Sequence, residues 1–176
     1  MRPSREKRGF TLIELMIVIA ILGVIASVAI PNFLKYIMRA KTTEATMNVR
    51  KLFDGSVAYY LTDRYGPTGA PIPNQFPSSV GPMPSPSALG PQKVRTGVEI
   101  WDAQPSWVAL NFAIEDAHYF AYQYRSDGVN NDSNFTAYAF GNLDGDTNFS
   151  TFGRLAHVES AAVVGSPGML ISGELD

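Results

Sequence analysis

Glu14 is the one charged residue in residues 10–30, an otherwise apolar run of 21 residues. As a helix rising about 1.5 Å per residue, such a run covers about 30 Å, the thickness of a bilayer's hydrocarbon core. Thirteen of the 21 are Phe, Leu, Ile or Val. At about −0.3 to −0.6 kcal/mol each, they outweigh the roughly 2.5–3.5 kcal/mol that a central acidic group costs. The charge is therefore tolerated, but in lipid it needs a partner. One helical turn before Glu14 stands Phe10, where an α-amine would meet the carboxylate. That amine exists only if the bond between Gly9 and Phe10 is cut.

A second set of oxygens lies near the C-terminus, where Asp144, Asp146, Asn148 and Ser150 alternate through Gly141-Asn142-Leu143-Asp144-Gly145-Asp146-Thr147-Asn148-Phe149-Ser150. Calcium takes six to eight such oxygens, so these four are candidate Ca2+ ligands. The glycine is misplaced for an EF-hand and no distal bidentate Glu follows, so Asx turns capping a hairpin are the competing reading. The neighbouring acidic turn, residues 126–133, falls at the other end of a meander and cannot share an ion with the first. No cofactor is required by any other pattern. With zero Cys, His118 and His157 make no zinc set, and neither a P-loop nor a G-x-S-x-G elbow occurs. The chain reads as a non-enzyme. Lys35, Arg39 and Lys41 follow the apolar run too closely to read as a nucleic-acid surface, and they suit lipid headgroups or acidic neighbours.

The elements that position these groups follow from pattern. Beyond Pro31, Ala45, Val49, Leu52, Phe53, Ser56 and Tyr60 share one helical face, so a helix is expected to run to about Tyr65, before Gly66-Pro67. Gly23 and Pro31 are its weak points, where bending or local melting is expected. Eight prolines and five glycines in residues 66–97 exclude a regular helix or central strand. From Trp107 the period shifts to that of strands, with candidates at 108–114, 119–125, 135–140, 150–155 and 169–172. The expected fold class is α+β, with a long N-terminal helix packed on a C-terminal antiparallel β-sheet. The expected segments are a leader (1–9), an assembly or transmembrane helix (10–31), an amphipathic helix (32–65), a Pro/Gly-rich loop (66–106) and a sheet region (107–176).

Lys7-Arg8-Gly9 followed by Phe10-Thr11-Leu12-Ile13-Glu14 resembles the prepilin leader and first residues of type IV pilins and type II secretion pseudopilins. The resemblance implies cleavage after Gly9 by a prepilin peptidase, N-methylation of Phe10, and a Glu14 that neutralises the N-terminal amine of a neighbouring subunit. It also implies a pilin-like fold, and a helix that loosens near Gly23 and Pro31 during assembly. Major pseudopilins hold calcium in a comparable loop. Many type IV pilins close a C-terminal loop with a disulfide, which this Cys-free chain lacks.

The expected function is that of a structural subunit of a type IV pilus, a fimbrium built by filament assembly through the N-terminal helix. Its partners would be copies of itself, the prepilin peptidase, the inner-membrane pilus or secretion machinery, and membrane lipid before assembly. The alternatives are a type II secretion pseudopilin and a membrane-anchored extracytoplasmic binding module. Arg2, Arg5, Lys7 and Arg8 against Glu6 give the leader +3, so a chain of net −2 becomes −5 on cleavage. Those charges place the leader in the cytoplasm. The expected localisation is the bacterial inner membrane, single-pass, and then an extracellular pilus or periplasmic pseudopilus. An ordinary signal peptide cut near Ser27-Val28-Ala29 leaves Glu14 unexplained, and a plain anchor explains neither Glu14 nor the junction between Gly9 and Phe10.

Overall fold

The computed structural model describes residues 9–174, so residues 1–8 of the expected leader lie outside the described residues. The chain divides into two compact units, one ending at Ile37 and the other beginning at Met38. Helix α1, Leu12–Leu61, contributes to both.

In the first unit, α1 is apolar around its whole circumference, and Leu12, Ile13, Ile17, Leu22, Val24 and Ile30 are all more than half exposed. A helix with no polar face suits lipid or other helices. Its first part is long and apolar enough to cross a membrane. The helix continues through both Gly23 and Pro31 without a break. Pro31 supplies no N–H to the turn before it, and nearby side chains bond to carbonyls there. Ser27 Oγ donates to the Val24 carbonyl at 2.7 Å, and Asn32 Nδ2 donates to that of Val28 at 3.0 Å.

In the second unit, α1 buries Thr42, Ala45, Val49, Leu52, Ser56 and Tyr60, a stripe at helical spacing that faces the sheet core. The helix ends at Leu61 rather than near Tyr65. Thr62 Oγ1 donates to the Ala58 carbonyl at 2.9 Å and Arg64 Nη1 to that of Tyr59 at 3.1 Å, so side chains take up terminal carbonyls that another turn would have used.

The sheet is antiparallel throughout. It comprises β1 (Val80–Met83), β2 (Ala121–Asp127), β3 (Asn134–Gly141), β4 (Ser150–Glu159), β5 (Ala162–Gly165) and β6 (Leu170–Ser172). The order is β1-β2-β3-β4-β5, with β6 pairing the other end of β4. Alternation places Phe135, Ala137, Ala139 and Gly141 of β3 in the core. Phe135 stacks on Tyr124 at 5.5 Å and meets Phe76 edge-on at 4.7 Å, which joins sheet and loop.

Three further expectations change. Residues 108–114 are not a strand: Gln104-Pro105 opens the short helix α3 (Pro105–Ala109), and Asn111 turns the chain at φ 50°. Proline at the first helical position and an extended residue before it are helix-start features. The Pro/Gly-rich stretch is not all loop, since it carries edge strand β1, where Gly81 and Pro82 are tolerated, and its end holds α2 (Glu99–Asp102). Strand β5 had no counterpart among the expected strands. It follows β4 through a tight turn at Ser160-Ala161.

Candidate functional site

Helix α1 begins at a reciprocal set of hydrogen bonds. The Thr11 N–H donates to Glu14 Oε2 at 2.9 Å and the Thr11 hydroxyl donates to the same oxygen at 2.6 Å. The Glu14 N–H donates back to Thr11 Oγ1 at 3.3 Å. Thr11 directly precedes the helix and Glu14 lies three residues on, the geometry of a capping box. It satisfies two of the backbone donors that every helix start leaves unpaired.

Phe10 lies two residues before α1 and is 75% exposed. Within one chain Glu14 is therefore held by Thr11 and not by Phe10. No basic group pairs with Glu14 among the described residues. Sequence reasoning singled out Glu14 and Phe10 but passed over Thr11, although Thr-x-x-Glu ahead of an apolar run signals a helix start.

Gly9 and Gly23 share one property: a Cβ built on either meets nothing within 4 Å. The fold of the single chain does not require glycine at either place. Any requirement for a small residue at Gly9 must come from what binds there.

The acidic turn sits between β3 and β4. Asp144 Oδ1 accepts the N–H of Asp146 at 3.2 Å, and Asp146 carries Asn148, whose side-chain Nδ2 donates to Asp146 Oδ2 at 2.9 Å. Asn142 closes the loop by accepting from the Gly145 N–H at 2.8 Å and donating to the Asp146 carbonyl at 3.0 Å. These are Asx turns, so the carboxylates already have donors. Ser150 is separate from them, being fully buried as the first residue of β4 while Asp144, Asp146 and Asn148 are exposed. The structure thus brings three of the four candidate calcium ligands into one turn and leaves the fourth in the core. No group of three or more acidic or histidine side chains is placed to hold a metal among the described residues. The turn at 128–133 joins β2 to β3 at the opposite end of β3, so the two acidic loops are well separated.

Comparison with known proteins bears on the first site. Residues 4–30 match the family described as the prokaryotic N-terminal methylation motif. The chain is 49% identical over 69 residues to the type IV major pilin protein PilA of Myxococcus xanthus, which covers 37% of this chain and 31% of the relative. Its N-terminal segment carries that motif and is similar to the N-terminal part of type IV major pilins. It is also 41% identical over 73 residues to the type IV major pilin protein PilE1 of Neisseria gonorrhoeae, covering 42% of this chain and 34% of that one. Against the fimbrial protein EcpC of Eikenella corrodens it is 45% identical over 61 residues, covering 35% and 39%. The chain thus spans about a third of the length of these pilin relatives. No solved structure matches it. Its likeness to pilins rests on the segment that holds Gly9, Phe10, Thr11 and Glu14, and the apolar helix and antiparallel sheet make a pilin-like α+β architecture.

Proposed function

We propose that this chain is a structural subunit of a type IV pilus, cut by a prepilin peptidase between Gly9 and Phe10 and N-methylated on Phe10. It is held in the inner membrane through its apolar helix and then packed into a helical filament with its copies. The observation that carries this reading is the exposed, apolar-all-round first part of α1 with one carboxylate at its start. In lipid, and later among identical helices, Glu14 gains most by pairing with a cation, and cleavage at Gly9 creates one on each incoming chain. The bonds between Glu14 and Thr11 of the same chain support a reading in which the amine it meets is that of another copy.

The open space around Gly9 supports processing, because a peptidase that admits only a close backbone explains a glycine that the fold does not need. The relatives' names, major pilin and fimbrial protein, favour a pilus over a secretion pseudopilus. The test is co-expression with a prepilin peptidase, followed by intact-mass analysis and negative-stain imaging of sheared surface fibres. A chain beginning at N-methyl-Phe10 and present in fibres is expected. A mature chain beginning at Ile30 would establish ordinary signal cleavage and overturn the proposal.

A further inference from the structure

Lys41 of α1 and Lys93 of the long loop are 52 positions apart in the chain, yet both ammonium groups lie over the ring of Tyr119, at 4.5 and 5.3 Å from its centroid. The arrangement is held by backbone. Val94 and His118 exchange N–H···O bonds of 2.8 and 2.9 Å, which fixes the residue before one beside the residue after the other. Lys41 Nζ also donates to the Pro91 carbonyl at 3.1 Å. Tyr119 is anchored in turn, its N–H donating to Glu44 Oε1 at 2.9 Å.

Two like charges are brought to one tyrosine ring, and no carboxylate lies within 4.0 Å of either among the described residues. Glu44, the acidic group nearest the ring in this network, is engaged by the Tyr119 N–H and the Tyr122 hydroxyl. Glu115 and Asp116, on the turn before His118, are exposed without pairing to either lysine. The ring of Tyr119 attracts both ammoniums, and with no carboxylate paired to either they keep N–H donors for an anion.

We propose that Lys41, Lys93 and Tyr119 form a seat for the phosphate of an anionic phospholipid, holding the globular unit against the membrane before assembly. This rests on the reading that the apolar run spans a bilayer. The lipid occupant is favoured by where Lys41 falls in the chain. Exposed Phe33 and Tyr36, of the side-chain type that collects at bilayer interfaces, alternate along the chain with exposed Lys35 and Arg39 ahead of Lys41. Basic residues directly after a span meet anionic headgroups. Lys93 adds a second cation at Tyr119 from a distant part of the sequence.

The test uses the full chain, which contains no Cys. An environment-sensitive dye on Gln92→Cys, an exposed position beside Lys93, is read after reconstitution in phosphatidylcholine vesicles with and without phosphatidylglycerol. A blue shift that appears only with phosphatidylglycerol is expected. It should disappear at about 1 M salt, where the Debye length is about 3 Å. Lys41→Gln with Lys93→Gln should abolish the shift, and the double Lys→Arg variant should keep it; unchanged melting of both variants excludes misfolding. A chain that floats with both vesicles but shifts in neither overturns this inference alone, as does a shift that survives the double Gln variant. A shift that follows protein density rather than phosphatidylglycerol assigns the face to a second copy and also overturns it. A chain that floats with neither vesicle overturns the membrane-spanning reading itself.

Discussion

Gly55 of α1 lies against the backbone carbonyl of Leu110, so close that a Cβ at Gly55 would stand 2.5 Å from the Leu110 oxygen. The contact locks the turn after α3 onto the helix, and the atom in the way is main chain, which cannot swing aside. Gly55→Ala would raise helix propensity by up to about 1 kcal/mol in open surroundings. Here it should instead destabilise the globular unit by about 1–3 kcal/mol, the usual cost of overpacking. Thermal melting of the full chain in detergent checks the sign; a melting temperature equal to or above wild type would show that the turn moves away freely.

The turn between β4 and β5 offers the opposite case. Ser160 and Ala161 hold φ 51° and 64°, the left-handed conformation that two-residue hairpins demand and that side-chain-bearing residues resist. Ser160→Asn with Ala161→Gly should relieve about 1 kcal/mol or more and raise the melting temperature by about 2–4 °C. The Ala161 N–H, which donates to Asn131 Oδ1 at 3.2 Å, is kept in the variant. A lower melting temperature would mean that the turn is not strained in solution.

That same turn explains much of what the sequence concealed. The long helix was legible because Ala45, Val49, Leu52, Ser56 and Tyr60 keep helical spacing, and β2, β3 and β4 because alternation survives in them. Strand β5 was hidden because Ser-Ala carries none of the glycine or asparagine that marks a tight hairpin. Residues 108–114 misled because a short apolar run has no clear period, and the Pro105 start signal lay outside it. At the candidate sites, Glu14 could be read from its charge in an apolar setting, and Thr11 from its spacing. Lys93 could not be placed beside Lys41, since only the pairing of Val94 with His118 brings it there.

The acidic turn should be stable without calcium. Its carboxylates are already supplied with N–H donors, and Gly145, at φ 82°, packs where an added Cβ would lie 3.2 Å from Pro91, whose carbonyl holds the Lys41 ammonium. Chelator should leave the melting temperature unchanged, while Asp146→Ala should lower it in either condition, because about 0.5–1.5 kcal/mol of hydrogen bonding is lost. A fall on chelation, absent in Asp144→Ala, would instead identify Asp144, Asp146 and Asn148 as calcium ligands.

Tyr122 ties the sheet to α1, accepting from Asn48 Nδ2 at 2.8 Å. Burial, and then the Glu44 carboxylate, push its phenol well above the usual tyrosine range, and burial does the same for Tyr124. Both are neutral in the folded state and ionise more readily once unfolded. Their linkage contribution is therefore full below the unfolded pKa of about 10 and is lost as pH rises above it. Stability should be flat through neutral pH and fall steeply from about pH 10 upward. Tyr124→Phe, which removes one of the two ionisations, should flatten that alkaline fall, and an unchanged slope would show that other groups drive it.

The capping box separates two roles that Glu14 combines. If Glu14 served only to start α1, Glu14→Gln would be harmless, because glutamine at this position makes the same bonds to Thr11. If its charge is what receives the N-terminal amine of an incoming subunit, Glu14→Gln should fail almost as fully as Glu14→Leu. In each case a buried amine loses its counter-charge, a loss of about 3–5 kcal/mol. Thr11→Ala gives the converse: it removes the hydroxyl bond of 2.6 Å but leaves the carboxylate, and so should still assemble. All three variants should be cut between Gly9 and Phe10 and should insert in the membrane, with Glu14→Leu inserting slightly better because a charge has gone. Co-expression with the peptidase, intact-mass analysis for processing and counting of surface fibres read the outcome directly. Abundant fibres from processed Glu14→Gln would show that the helix cap is what matters. Abundant fibres from processed Glu14→Leu would show that apolar packing alone sets the register.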